Sequence, residues 1–300
     1  MQSAVTNQVL ILFLLMIVGF IIRKCNVLNN SLNDGISELL INVAVPFSII
    51  VSFNITFSVK ILHNIAIAFL VSVFIHLFAV LISRVLYFRY HRDIRKILVF
   101  ATIFDNSGFM GLPVLGSLFG PMGIFYGSIY VVTFNLFVWT LGVMILNGKK
   151  ELHIVKAFTN PALVAVLVGF ILFFFSIKLP VTIFKTLDMI GSLSTPLSMV
   201  VIGSMLAELN FRALLNDFSV YYSTMARLLI VPLGVAFILK FCGIEPHLLK
   251  VCIMAGAMPA GTMTAILAKK YNANTLLASR IVFMSTAFSI LTIPLVFMLT

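Results

Sequence analysis

Apolar residues run through this chain in blocks of roughly the twenty that a bilayer-spanning helix needs, one block after another with short polar joints between them. Ten such blocks predict ten membrane helices: Val9–Ile22, Leu32–Phe53, Ile65–Tyr87, Ile97–Leu118, Met122–Leu146, Ala162–Ile177, Val181–Leu206, Phe218–Phe241, Leu249–Ala268 and Thr275–Leu299. The first block has Arg23 and Lys24 after it rather than a basic run before it, and no small-residue cleavage site follows. It is therefore expected to be a retained helix and not a signal peptide.

Composition agrees with the pattern. Of the 300 residues 61% are hydrophobic and 10% charged, and the mean hydropathy of +1.16 lies far above that of a soluble domain. The short joints leave no room for a soluble domain, a linker or a low-complexity tract. A net charge of +11 would suggest nucleic acid in a soluble protein; in a membrane protein the placement of Lys and Arg reports orientation instead. With the N-terminus outside, the cytoplasmic joints collect Arg23, Lys24, the run "RYHRDIRK" (Arg89–Lys96), Lys149, Lys150, Lys156, Arg212, Lys269, Lys270 and Arg280. Fewer cations fall on the other side, so both termini are expected outside and a nucleic-acid partner is not expected. Cys25, Cys242 and Cys252 have no CxxC spacing and imply neither a disulfide framework nor a metal site.

The chain also repeats itself. "NVAVPFSIIVSF" (Asn42–Phe53) resembles "SLSTPLSMVVIGSML" (Ser192–Leu206), each with a mid-helix proline and a serine two residues on: Pro46 with Ser48, Pro196 with Ser198. The fourth block carries Asn106-Ser107-Gly108 and Gly111-Leu112-Pro113, and the ninth carries "AGAMPAGTMT" (Ala255–Thr264). Two sets of five crossings, residues 1–150 and 151–300, must enter the membrane in opposite directions because five is odd. Inverted repeats with interrupted helices at matching places point to a midplane site of a secondary transporter.

Proline and glycine predict unwinding at Asp105–Pro113 and Gly256–Gly261, which leaves bare backbone groups that must be buried in protein or line a cavity. Half-helix N-termini favour anions and freed carbonyls favour cations. The candidate substrate site is Asn106, Ser107, Gly108, Met258, Pro259, Ala260 and Gly261, with Phe109 and Met110 nearby. A carboxylate at membrane depth is costly unless protonated, paired or hydrated, so Asp105 is the candidate for ion coupling, with H+ or Na+ as coupling ion. Arg227, about 15 Å along the eighth helix from Asp217, is its candidate partner, or an attractor for an anionic substrate. His76, alone in the third block, is expected to be a satisfied core histidine.

At these segments the sequence resembles the auxin efflux carrier family, which includes plant exporters and bacterial organic-acid carriers. "NSGFMGLPVL" (Asn106–Leu115) is similar to the family's fourth-helix motif. "MPAGTMTAILAKKYN" (Met258–Asn272) is similar to its ninth-helix motif, and "ASRIVFMSTAFSILTIPLVFML" (Ala278–Leu299) to its last helix. The resemblance implies an all-α membrane protein of ten helices in which the fourth and ninth cross at their breaks, near Asn106 and Pro259. It further implies a scaffold of helices 1, 2, 6 and 7 bearing Pro46 and Pro196, a mobile transport unit of helices 3–5 and 8–10, elevator-like alternating access and a homodimer. Asp105 stands where plant members carry a proline, and their long central loop is missing here.

The expected function is secondary transport of small organic anions such as carboxylates across the cell membrane, with membrane lipid as the surrounding partner. A channel or uniporter-like facilitator of small organic solutes shares the architecture and remains the alternative. An enzyme is not expected, since the sequence has no HExxH, GxSxG or P-loop motif.

Overall fold

The computed structural model describes residues 2–148, 159–207 and 217–300. Lys149, Lys150, Lys156 and Arg212 among the expected topology determinants, and the boundary between the expected repeats, lie outside the described residues. Among the described residues the chain is all-helical apart from its connections, and its strand-like pairing is limited to an isolated antiparallel bridge between Asp105 and Ala260. In chain order the helices are α1 (Gln2–Lys24), α2 (Asn30–Ser52), α3 (Val59–Leu86), α4 (Arg92–Ile103), α5 (Ser107–Asn147), α6 (Pro161–Phe174), α7 (Val181–Ala207), α8 (Phe218–Leu239), α9 (Pro246–Gly256), α10 (Met263–Lys270) and α11 (Thr275–Leu299). Six of these, α2, α3, α5, α7, α8 and α11, are long and apolar enough to cross a membrane.

Local sequence explains where these helices start. Side chains of Asn29, Asn160, Asp217, Glu245 and Asn274 each accept a hydrogen bond from a backbone N–H of the first turn that follows, and Pro161 and Pro246 take the first helical position, where no N–H is needed. The fourth predicted helix is split between α4 and the start of α5, which also holds the fifth and bends at Gly120 (φ 65°, ψ −154°) just before Pro121. Glycine tolerates that left-handed φ and proline can only begin a new helix there.

Three other prolines act without ending a helix. Wide π-turns span Leu40–Ala44, Ser107–Gly111 and Ala226–Ile230, and Pro46, Pro113 and Pro232 each follow two residues later. A proline has no N–H for the carbonyl four residues back and its ring crowds that carbonyl, and widening the preceding turn relieves both problems. Pro46 therefore lies in a continuous helix. Pro196 follows a turn at Leu193 inside α7, and Gly111 and Pro113 lie in the wound part of α5, beyond the break.

The described residues form two compact units. The first gathers α1, α2, the Gly108–Val132 part of α5, α6 and α7. Within it α1 and α7 touch backbone to backbone. A Cβ on Gly19 would lie 2.1 Å from the Val200 carbonyl oxygen, and one on Gly203 would lie 1.9 Å from that of Met16. Small residues facing each other in this way let helices associate where lipid supplies no hydrophobic drive. Leu40, Ala44 and Val201 form a buried cluster against which Ile36, Phe109 and Leu197 pack. The Phe53 ring is centred 4.6 Å from that of Phe125 and 5.2 Å from that of Phe170.

The second unit gathers α3 from Ile67, α4, α5 from Thr133, and α8 to α11. His76 is buried there, with Nδ1 2.8 Å from the Ser72 carbonyl and its ring stacked on Phe137 at 5.0 Å. Tyr87 and Thr102 join α3 to α4 through their hydroxyls at 2.8 Å. The basic run before α4 forms, with Arg84 and Leu146, the wall of an open cavity of about 780 Å³, in which Asp93 pairs with Lys96 at 3.2 Å.

Candidate functional site

The first break is short. Helix α4 ends at Ile103, Phe104 is extended (φ −103°, ψ 111°), and winding resumes at Ser107. The second runs from the end of α9 at Gly256 to the start of α10 at Met263. The two breaks hold each other by main-chain bonds: the Asn106 N–H donates to the Pro259 carbonyl at 2.8 Å, and the Gly261 N–H donates to that of Phe104 at 2.9 Å. Gly261 has to be glycine for this approach, because a Cβ would sit 2.5 Å from the Asp105 carbonyl oxygen.

Breaking the helices frees carbonyls, and their fate defines the site. The Asn106 N–H, which an unbroken helix would give to Thr102, goes to Pro259; the Ala260 N–H, which would serve Gly256, goes to the Ser285 hydroxyl at 3.1 Å. The Thr102 and Gly256 carbonyls are taken instead by Arg227. Its Nη1 donates to Thr102 O at 3.0 Å, its Nε to Met258 O at 3.0 Å, and its Nη2 to both Gly256 O and the Asp105 carboxylate, the latter at 2.9 Å. A cation at two half-helix C-termini is also where the helix dipoles favour one.

Asp105 and Arg227 are both fully buried and form an ion pair. The other carboxylate oxygen of Asp105 accepts the Ser107 N–H at 3.0 Å, so this one residue caps the resumed helix and holds the guanidinium. Removing one partner of such a buried pair costs about 3–5 kcal/mol. Both charges are thereby committed to holding the breaks together. The N-terminal ends of the resumed helices, at Ser107 and Met263, carry the positive ends of the helix dipoles. There Ser107 and Thr264 carry buried hydroxyls without a hydrogen-bond partner.

Asn106, Ser107, Met258, Pro259, Ala260 and Gly261 are all buried at the paired breaks of the second unit. Gly108 opens the first-unit part of α5, where a Cβ would meet nothing within 4 Å. Pro113 is engaged elsewhere, its carbonyl accepting from the Thr195 hydroxyl at 3.4 Å. Thr102, Thr264, Ser285 and the use of the Gly256 carbonyl were not expected from sequence. Two of them act through main-chain carbonyls, which no residue type signals; the freed N–H of Ala260 was the available hint that a hydroxyl such as Ser285 is needed. Among the described residues no group of three His, Cys, Asp or Glu side chains could hold a metal ion.

The model of the membrane transport protein family matches residues 4–297. An uncharacterized transporter of Methanothermobacter thermautotrophicus is 30% identical over 97% of this chain and 96% of its own length. An uncharacterized transporter of Methanocaldococcus jannaschii is 26% identical over 96% of each chain. The uncharacterized transporter YfdV of Escherichia coli is 24% identical over 63% of this chain and 62% of its own. With a match from end to end and several helices long and apolar enough to span a bilayer, the chain belongs to the membrane transport protein family of the auxin efflux carriers and is a multi-pass membrane transporter.

Proposed function

We propose that the protein is a secondary active transporter that carries small organic anions, carboxylates among them, across the cell membrane by elevator-like alternating access. The observation that carries this reading is the mutual backbone pairing of two helix breaks, Phe104–Asn106 with Pro259–Gly261. Each break is followed by a positive half-helix end, at Ser107 and at Met263, and each end carries a buried unpartnered hydroxyl, those of Ser107 and Thr264. Such a junction suits a small carboxylate better than an open pore, whose conduction needs a continuous path. In this reading ten helices form two inverted five-helix repeats with both termini outside. Helices 3–5 and 8–10 of that set form the mobile unit that carries the substrate, helices 1, 2, 6 and 7 form the scaffold, and the working form is a homodimer.

The test is counterflow in proteoliposomes loaded with a panel of unlabelled mono- and dicarboxylates. Acceleration of labelled uptake by a trans carboxylate is the expected result, with Asn106→Ala abolishing it while leaving the protein folded. Single-channel currents in place of trans-acceleration would refute the carrier reading.

A further inference from the structure

The oxygen set around the Arg227 guanidinium has the composition of a monovalent-cation site. Three main-chain carbonyls, those of Thr102, Gly256 and Met258, and one carboxylate oxygen of Asp105 converge on it. Hard oxygens freed by broken helices are the ligands that hold a coupling Na+ at the midplane of many secondary transporters. Here the position is filled from inside the chain. Four of the five guanidinium N–H groups are spent on those oxygens, which leaves the arginine a single N–H outside the set. The π-turn Ala226–Ile230 and Pro232 fix the helix that carries it.

We propose that Arg227 is a tethered cation that permanently occupies a cation site at the paired helix breaks, so that the transport cycle runs without sodium. The proposal deepens the transport reading and rests on it for the word cycle; the occupancy of the site stands on geometry alone. In a carrier coupled at this point the ion enters and leaves on each turnover. A guanidinium that is part of α8 stays, and keeps the two breaks joined through every state.

The experiment uses the full-length purified protein in detergent and follows its melting temperature. The wild type should melt alike in sodium chloride and choline chloride, and millimolar guanidinium chloride should not raise it. Arg227→Ala should melt lower and regain at least half of that loss as guanidinium chloride is titrated, saturably, with urea having no such effect. A sodium-specific stabilisation of the wild type would overturn the proposal, and so would a folded Arg227→Ala protein that guanidinium leaves unmoved. Should Arg227→Ala not fold, the wild-type sodium titration decides. A parallel counterflow assay separates the two ideas. Counterflow that is absent for every anion, with guanidinium rescue intact, removes the transport reading alone. Counterflow that needs sodium removes this proposal alone.

Discussion

The main-chain N–H of Asn106 donates to the carbonyl of Pro259 across 2.8 Å, joining a helix break in the first half of the chain to one in the second. Neither residue's side chain makes that bond, so its strength depends on how closely two backbones can approach.

Gly261 sets that approach. Gly261→Ala should place a methyl group against the Asp105 carbonyl, where a Cβ would sit 2.5 Å away. Overpacking of this kind costs about 1–3 kcal/mol. A lower melting temperature and loss of counterflow are expected, whereas Gly108→Ala, with nothing within 4 Å of its Cβ, should change melting little. Equal melting losses in the two variants would show that the close approach at Gly261 is not limiting.

The ion pair should behave as one unit. Asp105→Asn and Arg227→Met each remove one partner of a fully buried pair at 2.9 Å and should each destabilise by about 3–5 kcal/mol. Combined, they should cost less than their sum by at least about 1 kcal/mol, since the second change removes a charge already orphaned. Denaturant or thermal melts of the four proteins close the cycle, and strict additivity would mean that the two charges do not depend on each other.

Pro232 should matter through Arg227 although it does not touch a substrate. Pro232→Ala returns an N–H to α8 and removes the reason for the π-turn at Ala226–Ile230, which lets the helix rewind and turns Arg227 away from its acceptors. Helical content by circular dichroism should be unchanged while counterflow falls at least tenfold. Full activity in this variant would show that the wide turn does not aim the arginine.

In the first unit, Gly203→Leu should force α1 and α7 apart, because even a Cβ at that position would lie 1.9 Å from the Met16 carbonyl oxygen. Gly19→Leu should do the same against Val200. Both should lower the melting temperature by several degrees, and Gly35→Leu, with open space around it, serves as the control. The same melting temperature in all three would remove the case for backbone contact between these helices.

Much of this was legible before any coordinates. Apolar blocks marked the helical parts of the chain, since a backbone in hydrocarbon must satisfy its own hydrogen bonds, although of the ten expected spans six helices among the described residues are long and apolar enough to cross a membrane. Gly256, Pro259 and Gly261 marked one break correctly because they cluster where the helix stops. At the other break Gly111 and Pro113 suggested an unwound stretch longer than the one found. Proline can be absorbed by a wide turn as well as by a break, and residue type alone does not choose between them. Gly120 and Pro121, by contrast, fall in the joint expected between Leu118 and Met122, and the chain bends there.

By itself the sequence determined that the chain is helical, membrane-spanning and interrupted before Met263, because those properties follow from hydropathy, helix length and the clustering of glycine with proline. It also singled out Asp105 and Arg227 as charges too costly to leave alone in a membrane. Only the tertiary structure decided that they pair, and that Arg227 spends its remaining donors on Thr102, Gly256 and Met258. Those partners are main-chain carbonyls, identical in every residue, and which of them is left without an N–H depends on where two distant segments of backbone come together.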